Sequence, residues 1–286
     1  LVEFFCSWSK GLAYDEKALG ILKNSGIISG VEMYNCDEQF DLVKKFGLKV
    51  SLHNPLKYYE FLLEEKELAQ KLGKNKLFVD FCNRSDTKTI GFHAGTPAIF
   101  NGNLQGKELL SGAVSGFKYI SGLIRKDLIV EPVHYEKSIS FGGTNEGLAY
   151  ASGPEFLESF LQQTKSGVLF DVSHVLISSE AKLADGFSSQ STQKHFDSIL
   201  RVSEGKIRQM HLNVPNILNN EFMDMHLAFK ADLLSKRVLG LAKSVVNSAP
   251  KLELITLEID TGLSPVEHAN KIVEQARLVA RTLALD

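Results

Sequence analysis

No apolar run in this chain approaches the roughly 20 residues a helix needs to cross a bilayer. The stretch after Leu1 also has no basic segment followed by an apolar core and a small-residue cleavage site. A cytoplasmic location, without membrane partners, is the expectation. Cysteine is scarce: Cys6, Cys36 and Cys82 are odd in number and lack paired spacing, unlike a secreted domain built on disulfides. No sign of charge dominates either. The 32 Lys and Arg against 34 Asp and Glu leave a net charge of −2 and a pI near 6.5, so the chain as a whole is not drawn to nucleic acid or anionic lipid. The first residue is Leu1 rather than Met, which is compatible with residues upstream.

What is present is a repeating unit. Short apolar runs that read as strands alternate with segments of helical spacing. The strands fall at Val2–Cys6, Gly30–Asn35, Leu48–His53, Thr89–His93, Leu128–Glu131, Val168–Phe170, Ile207–Met210 and Leu254–Leu257. Between them lie helical patterns at Tyr14–Lys23, Glu38–Phe46, a segment with Tyr58, Phe61, Leu62 and Leu68 on one stripe, Glu108–Gly122, a helix opened by Pro154, Leu233–Asn247, and a last helix from Pro265. Three connections read as loops: Pro132–Gly153, long and rich in Gly and Ser, the polar Ala184–Gln193, and the stretch holding Met223-Asp-Met-His226. Without a composition break, one (β/α)8 TIM barrel spanning residues 1–286 is predicted, with an open doubly wound sheet as the runner-up.

The strand ends decide between these two. His53, His93, Glu131, Asp171 with His174 three residues on, His211, and Glu258 all stand where a predicted strand stops, and Asp224 and His226 follow the seventh. Only a closed barrel brings successive strand ends around one mouth, where barrel enzymes place their chemistry. These nine residues are metal-ligand types. Five of the eight histidines with four carboxylates exceed what one divalent ion needs, and imidazole with carboxylate but no thiolate suits zinc, iron or manganese. Two or three ions follow, with a carboxylate free to bridge. Leaving all nine unpaired and buried would cost several kcal/mol for each charge. Taken singly, His134, His195 and His268 read as hydrogen-bonded structural residues, and Glu32, Asp80 and Asp260 as groups that support ligands or cap helices. Cys6 and Cys36 read as buried small apolar residues.

The set His53, Phe92-His93-Ala-Gly95, Glu131, Asp171-x-x-His174, His211-Leu-Asn213, Asp224-x-His226 and Glu258 resembles the xylose isomerase-like TIM-barrel superfamily. Three of its branches share parts of the pattern. The endonuclease IV type of abasic-site nuclease has the same ligand types in the same order. That likeness implies one ion on His53, His93 and Glu131, a second on bridging Glu131 with Asp171, His211 and Glu258, and a third on His174, Asp224 and His226. Its glycine-rich signature is absent around Val2–Gly11, and Asn54-Pro55 follows His53 where a DNA-contacting loop with Tyr belongs. The sugar isomerase and epimerase branch, suggested by Val130-Glu-Pro132, needs only Glu131, Asp171, His211 and Glu258.

The chain looks most like the multinuclear non-haem iron-dependent oxidase family, through Val50-Ser-Leu-His53, Tyr150-Ala-Ser-Gly-Pro154, Gly167-Val-Leu-Phe-Asp171-Val-Ser-His174, Met210-His-Leu212 and Met223-Asp-Met-His226. This resemblance implies two or three metal ions, iron first and zinc or manganese as alternatives, and dioxygen-dependent oxidation at a cysteine of a peptide substrate. It also implies a partner protein that presents the peptide, and a groove lined by His134, as candidate catalytic residue, and the Ser138–Asn145 loop.

Overall fold

Eight parallel strands close on themselves in the computed structural model. They are β1 (Glu3–Ser7), β2 (Ile28–Met33), β3 (Lys49–His53), β4 (Thr89–Ala94), β5 (Asp127–Pro132), β6 (Gly167–Asp171), β7 (Ile207–Leu212) and, beyond a two-stranded hairpin of β8 (Val214–Leu218) and β9 (Glu221–Leu227), β10 (Leu254–Leu257), which pairs back onto β1. The structure describes residues 2–7, 15–34, 37–55, 76–94, 106–135, 145–184, 186 and 191–285. Around the barrel stand α1 (Glu16–Asn24), α2 (Asp37–Lys45), α3 (Lys76–Arg84), α4 (Gly106–Leu123), α5 (Asn145–Ala151), α6 (Pro154–Thr164), α7 (Val172–Ala184), α8 (Thr192–Ser203), α9 (Leu233–Ser248) and α10 (Pro265–Leu283). The predicted single (β/α)8 barrel is the observed fold.

Period-two alternation sorts each strand between two environments. Val50 and Leu52 of β3, Ile90 and Phe92 of β4, Val168 and Phe170 of β6, and Met210 and Leu212 of β7 join the apolar layer under the helices. Their neighbours Ser51 and His53, Glu131, Asp171, Gln209 and His211 point into the barrel and are equally buried. Phe5, Ile129 and Leu169 fill the lower interior, and ligand-type side chains crowd the C-terminal ends. Two glycines permit this filling. A Cβ on Gly30 would overlap the Phe5 ring and the Lys49 carbonyl, and one on Gly91 would lie 2.5 Å from Leu169 Cδ1 and 3.0 Å from His53 Cδ2.

Three expectations need correction. The Pro132–Gly153 connection is not all loop, because Asn145–Ala151 forms α5 ahead of α6. The stretch around Met223-Asp-Met-His226 is strand β9, paired antiparallel to β8 with Ile217 opposite Phe222. Its turn is Asn219-Asn220, both at positive φ (51° and 64°), the conformation that suits right-twisted hairpins and that Asn tolerates. His174, read as standing where the sixth strand stops, sits instead in the first turn of α7, where its N–H donates to Asp171 Oδ1 at 2.7 Å. The helical stripe of Tyr58, Phe61, Leu62 and Leu68 lies outside the described residues, as do Asn35, Cys36, Gly95 and residues 138–144 of the expected groove. Cys6 is buried, as read.

The helical layer holds one basic side chain out of place. Lys182 of α7 is 4% exposed, and burial, opposed by Glu155, pushes its amine down to about 7. The unfolded lysine, near 10.5, keeps its proton across the window where the folded one has lost it. Unfolded chain therefore binds more protons between pH 7 and 10, and stability rises with pH over that range. Lys182→Met is expected to stabilise the fold at pH 7 by about 1–4 kcal/mol, because a buried charge gives way to apolar packing. Denaturant titrations at pH 7 and pH 10 check both parts: the variant's advantage shrinks at the higher pH.

Candidate metal centre

Glu131, at the end of β5, is fully buried and lies at the centre of the mouth. Its Oε2 is 2.6 Å from His53 Nε2 and 3.1 Å from His93 Nε2, while Oε1 is 2.9 Å from His174 Nδ1 and 3.9 Å from His211 Nδ1. One carboxylate thus faces two pairs of imidazoles from opposite sides. Strand register produces this: His93 is level with Glu131 across β4 and β5, Asp171 with His211 across β6 and β7, and His53 with side-chainless Gly91 across β3 and β4. From β10 the backbone runs on to Glu258, whose N–H donates to Leu212 O at 3.0 Å.

The other residues read as ligands gather around that centre. Around His211 Nδ1 lie Glu258 Oε2 at 3.2 Å and Asp171 Oδ2 at 4.0 Å. Asp224 Oδ2, carried in by the hairpin, is 3.2 Å from His174 Nε2 and 3.0 Å from His226 Nε2. His226 sits at φ 49°, the left-handed region that histidine enters more readily than most side chains. His134 belongs here too, its ring centroid 4.5 Å from that of His174. Among the described residues, His53, His93 and Glu131 form one group able to hold an ion, Glu131, Asp171 and His174 another, His134, His174 and Asp224 a third, and Glu32, His53, His211 and Glu258 a fourth. All nine ligand-type residues and His134 are therefore brought together. His195 and His268 are elsewhere, in α8 and α10, with His268 Nδ1 hydrogen-bonded to the Thr261 hydroxyl at 2.9 Å. Asp80 is exposed on α3, and Asp260 braces the loop after β10, its N–H donating to His226 O and its side chain accepting from Gly262.

His174 Nε2 and Asp224 Oδ2 are hydrogen-bonded at 3.2 Å, but much of the close approach in this cluster is not hydrogen bonding. Both ring nitrogens of His53, both oxygens of Glu131, Asp171 Oδ2, His174 Nδ1, His211 Nδ1 and Asp224 Oδ1 are buried without an aligned hydrogen-bond partner. Lone pairs of hard and borderline donors converging in this way fit divalent cations. Electrostatics agree with that. Burial would raise the Glu131 carboxyl, but His93, His53 and His174 hold it well below the usual range. Burial, with Glu131, Glu258 and Asp224 adding to it against His174, lifts Asp171 to about 6. His174 and His226 resist their burial because carboxylates surround them, Asp171 foremost for the first and Asp224 for the second, and His226 rises to about 9.

No protein-family model matches the chain, and no curated protein does. Solved structures do. A zinc-bound IolI protein superposes with TM-score 0.68 at 12% identity over 99% of both chains. A xylose isomerase domain protein from Alicyclobacillus acidocaldarius gives 0.64 at 11% over 99% of this chain and 100% of that one. The chain shares the TIM-barrel fold of these structures. Endonuclease IV from Thermus thermophilus shares that fold, with TM-score 0.56 at 15% identity over 99% of this chain and 100% of its own. A closed TIM barrel also explains why the ligand-type residues end strands: its mouth is where successive strands deliver side chains to one point.

Tyr34 escaped the sequence reading. One residue past β2, its hydroxyl donates to Glu258 Oε1 and its ring centroid is 4.9 Å from that of His53. Burial, then Glu258 and Glu32, raise it well above 10, so it stays a phenol donor at neutral pH. Its signal was the same strand-end placement that marks the ligands, on a residue type that is seldom a ligand.

Proposed function

We propose that this chain is a multinuclear metal-dependent enzyme, and within that class an iron-dependent oxidase that modifies a cysteine of a peptide with dioxygen as oxidant. The placement of Glu131, one buried carboxylate with an imidazole pair on each side, carries the multinuclear part. His53, His93 and Glu131 would hold one ion, Glu131, Asp171, His211 and Glu258 a second, and His174, Asp224 and His226 a third. Bound iron would supply Lewis acidity and electron exchange with dioxygen. The chain's own residues do the remainder. Tyr34 orients Glu258 through its hydroxyl, the buried walls keep bulk water from His53, Glu131, Asp171 and His211, and His134 stands beside His174 where a substrate would enter.

The hairpin favours a peptide over a polyanion. Residues 213–229 include no Lys or Arg, so they offer no Lys or Arg charge to neutralise phosphates. They expose Ile217, Leu218 and Met225 instead. Ile217 lies opposite Phe222 in the ribbon, and alternation puts both on the face that presents Asp224. An apolar edge therefore continues from the ligands, as a polypeptide contact requires. Phosphodiester hydrolysis is the second reading, supported by the likeness to the Thermus endonuclease IV structure and by a donor set that suits zinc equally.

Elemental analysis of protein purified without added metal or chelator, together with its visible spectrum in air, tests the proposal. Two to three irons per chain with an iron absorption band support the oxidase. A colourless zinc protein that cleaves a phosphodiester overturns it in favour of hydrolysis, and a single manganese or magnesium ion favours sugar isomerisation.

A further inference from the structure

Beneath the ligand layer lies a second polar layer that the metal reading leaves without a task. Ser51 of β3, Glu32 of β2, Gln209 of β7 and Thr256 of β10 are all fully buried and stand one inward-facing position deeper in the barrel. Gln209 Nε2 donates to Glu32 Oε2 and lies 3.2 Å from Thr256 Oγ1, and the Ser51 hydroxyl donates to the same Glu32 oxygen at 3.2 Å. Two donors thus anchor Oε2. The other oxygen, Oε1, has no aligned hydrogen-bond partner, and its close polar neighbour is Nε2 of His211 at 2.8 Å.

His211 has two nitrogens in two different surroundings. Nε2 lies 2.8 Å from Glu32 Oε1 and 3.2 Å from the Gln209 amide nitrogen, whereas Nδ1 faces Glu258 Oε2 at 3.2 Å, Glu131 Oε1 at 3.9 Å and Asp171 Oδ2 at 4.0 Å. A neutral imidazole has one N–H, and an ionised carboxylate only accepts. With the proton on Nε2, Glu32 is satisfied and the Nδ1 lone pair points at the carboxylates. With the proton on Nδ1, the Nε2 lone pair would accept from the Gln209 amide at 3.2 Å but would face the buried Glu32 oxygen at the shorter 2.8 Å, and the ligand position is blocked.

We propose that Glu32 is a positioning residue that holds His211 as its Nε2–H tautomer, so that His211 binds metal through Nδ1. This inference rests on the metal-centre reading above. Its rival is direct ligation, because Glu32, His53, His211 and Glu258 also approach closely enough to share an ion. The anchoring of Oε2 from below and the position of Glu32 under the ligand layer favour the orienting role. A carboxylate behind a metal-bound histidine fixes ring and tautomer, and its loss weakens metal binding roughly 10–100-fold.

Two measurements on the full chain test this. Long-range proton–nitrogen NMR of the zinc-loaded protein, with His211 identified by the signals lost in His211→Gln, is expected to show a protonated Nε2 and a metal-bound Nδ1. Chelator competition with zinc, on Glu32→Gln and Glu32→Ala checked for folding by near-ultraviolet circular dichroism, is expected to show unchanged stoichiometry with affinity lowered roughly 10–100-fold. The opposite tautomer, undiminished affinity in both folded variants, or loss of one whole ion per chain would each overturn the proposal, the last by making Glu32 a ligand. If wild-type protein binds no zinc that His211→Gln removes, the metal-centre reading itself falls and takes the role of Glu32 with it. The NMR result needs no Glu32 variant to fold.

Discussion

Glu131→Ala is expected to strip at least two ions from the centre and leave at most the one on His174, Asp224 and His226. The reason is geometric. Each Glu131 oxygen serves a different imidazole pair, His53 with His93 on one side and His174 with His211 on the other, so one substitution opens two sites. Asp171→Ala or His174→Ala, by comparison, is expected to empty a single position. Two ions removed from a reacting centre take away several kcal/mol of charge stabilisation, so turnover should fall by roughly 10³-fold or more. Elemental analysis of the three variants after identical purification gives the ordering; full metal content in Glu131→Ala would end the bridging assignment. The substitution also removes a negative charge that favours the protonated ring of His174, so the metal-free variant is expected to hold less proton there than metal-free wild type.

Gly30→Ala is expected to be the most damaging single methyl in the barrel. The added Cβ would overlap the Phe5 ring and the backbone oxygen of Lys49. A ring can turn, but a carbonyl committed to the β2–β3 ladder cannot move without breaking register there, where Gly30 is level with Lys49. Overpacking of this kind costs about 3 kcal/mol or more. In a chain of this size that corresponds to a fall in Tm of roughly 6 °C or more. Gly240→Ala is the contrast. It sits on an exposed turn of α9 with nothing near its Cβ position, and a gain of about 0.5–1 kcal/mol is expected from helix propensity. Thermal melts of the two variants side by side decide whether backbone approach, rather than glycine content, sets the barrel's tolerance.

Much of this architecture is legible in the chain. Strands such as Leu48–His53 and Leu128–Glu131 are short apolar runs with a ligand-type residue at the last position, and that pattern depends only on residue type and spacing. The hairpin reads as loop although Met223-Asp-Met-His-Leu227 alternates apolar with polar residues as a strand does. Asn219-Asn220 is the available signal, since two residues tolerant of positive φ, with Ile217 and Phe222 on either side, mark a two-residue turn. His174 reads as standing where the sixth strand stops, three residues past Asp171, whereas the Asp171 side chain accepts the His174 N–H and starts a helix.

By itself, the sequence determined which residues face inward and that they end strands, because side-chain alternation and strand length are local properties of the backbone. It also supplied an excess of imidazole and carboxylate. What only the tertiary structure decided is how these groups are shared. Closure of β1 onto β10 and the stagger between neighbouring strands put Glu131 between two histidine pairs, brought Tyr34 to Glu258, and set Glu32 behind His211. Those partners lie as far apart in the chain as Tyr34 and Glu258, 224 residues. No spacing rule reaches across such a separation, because the distance between them is fixed by the circumference and shear of the closed sheet.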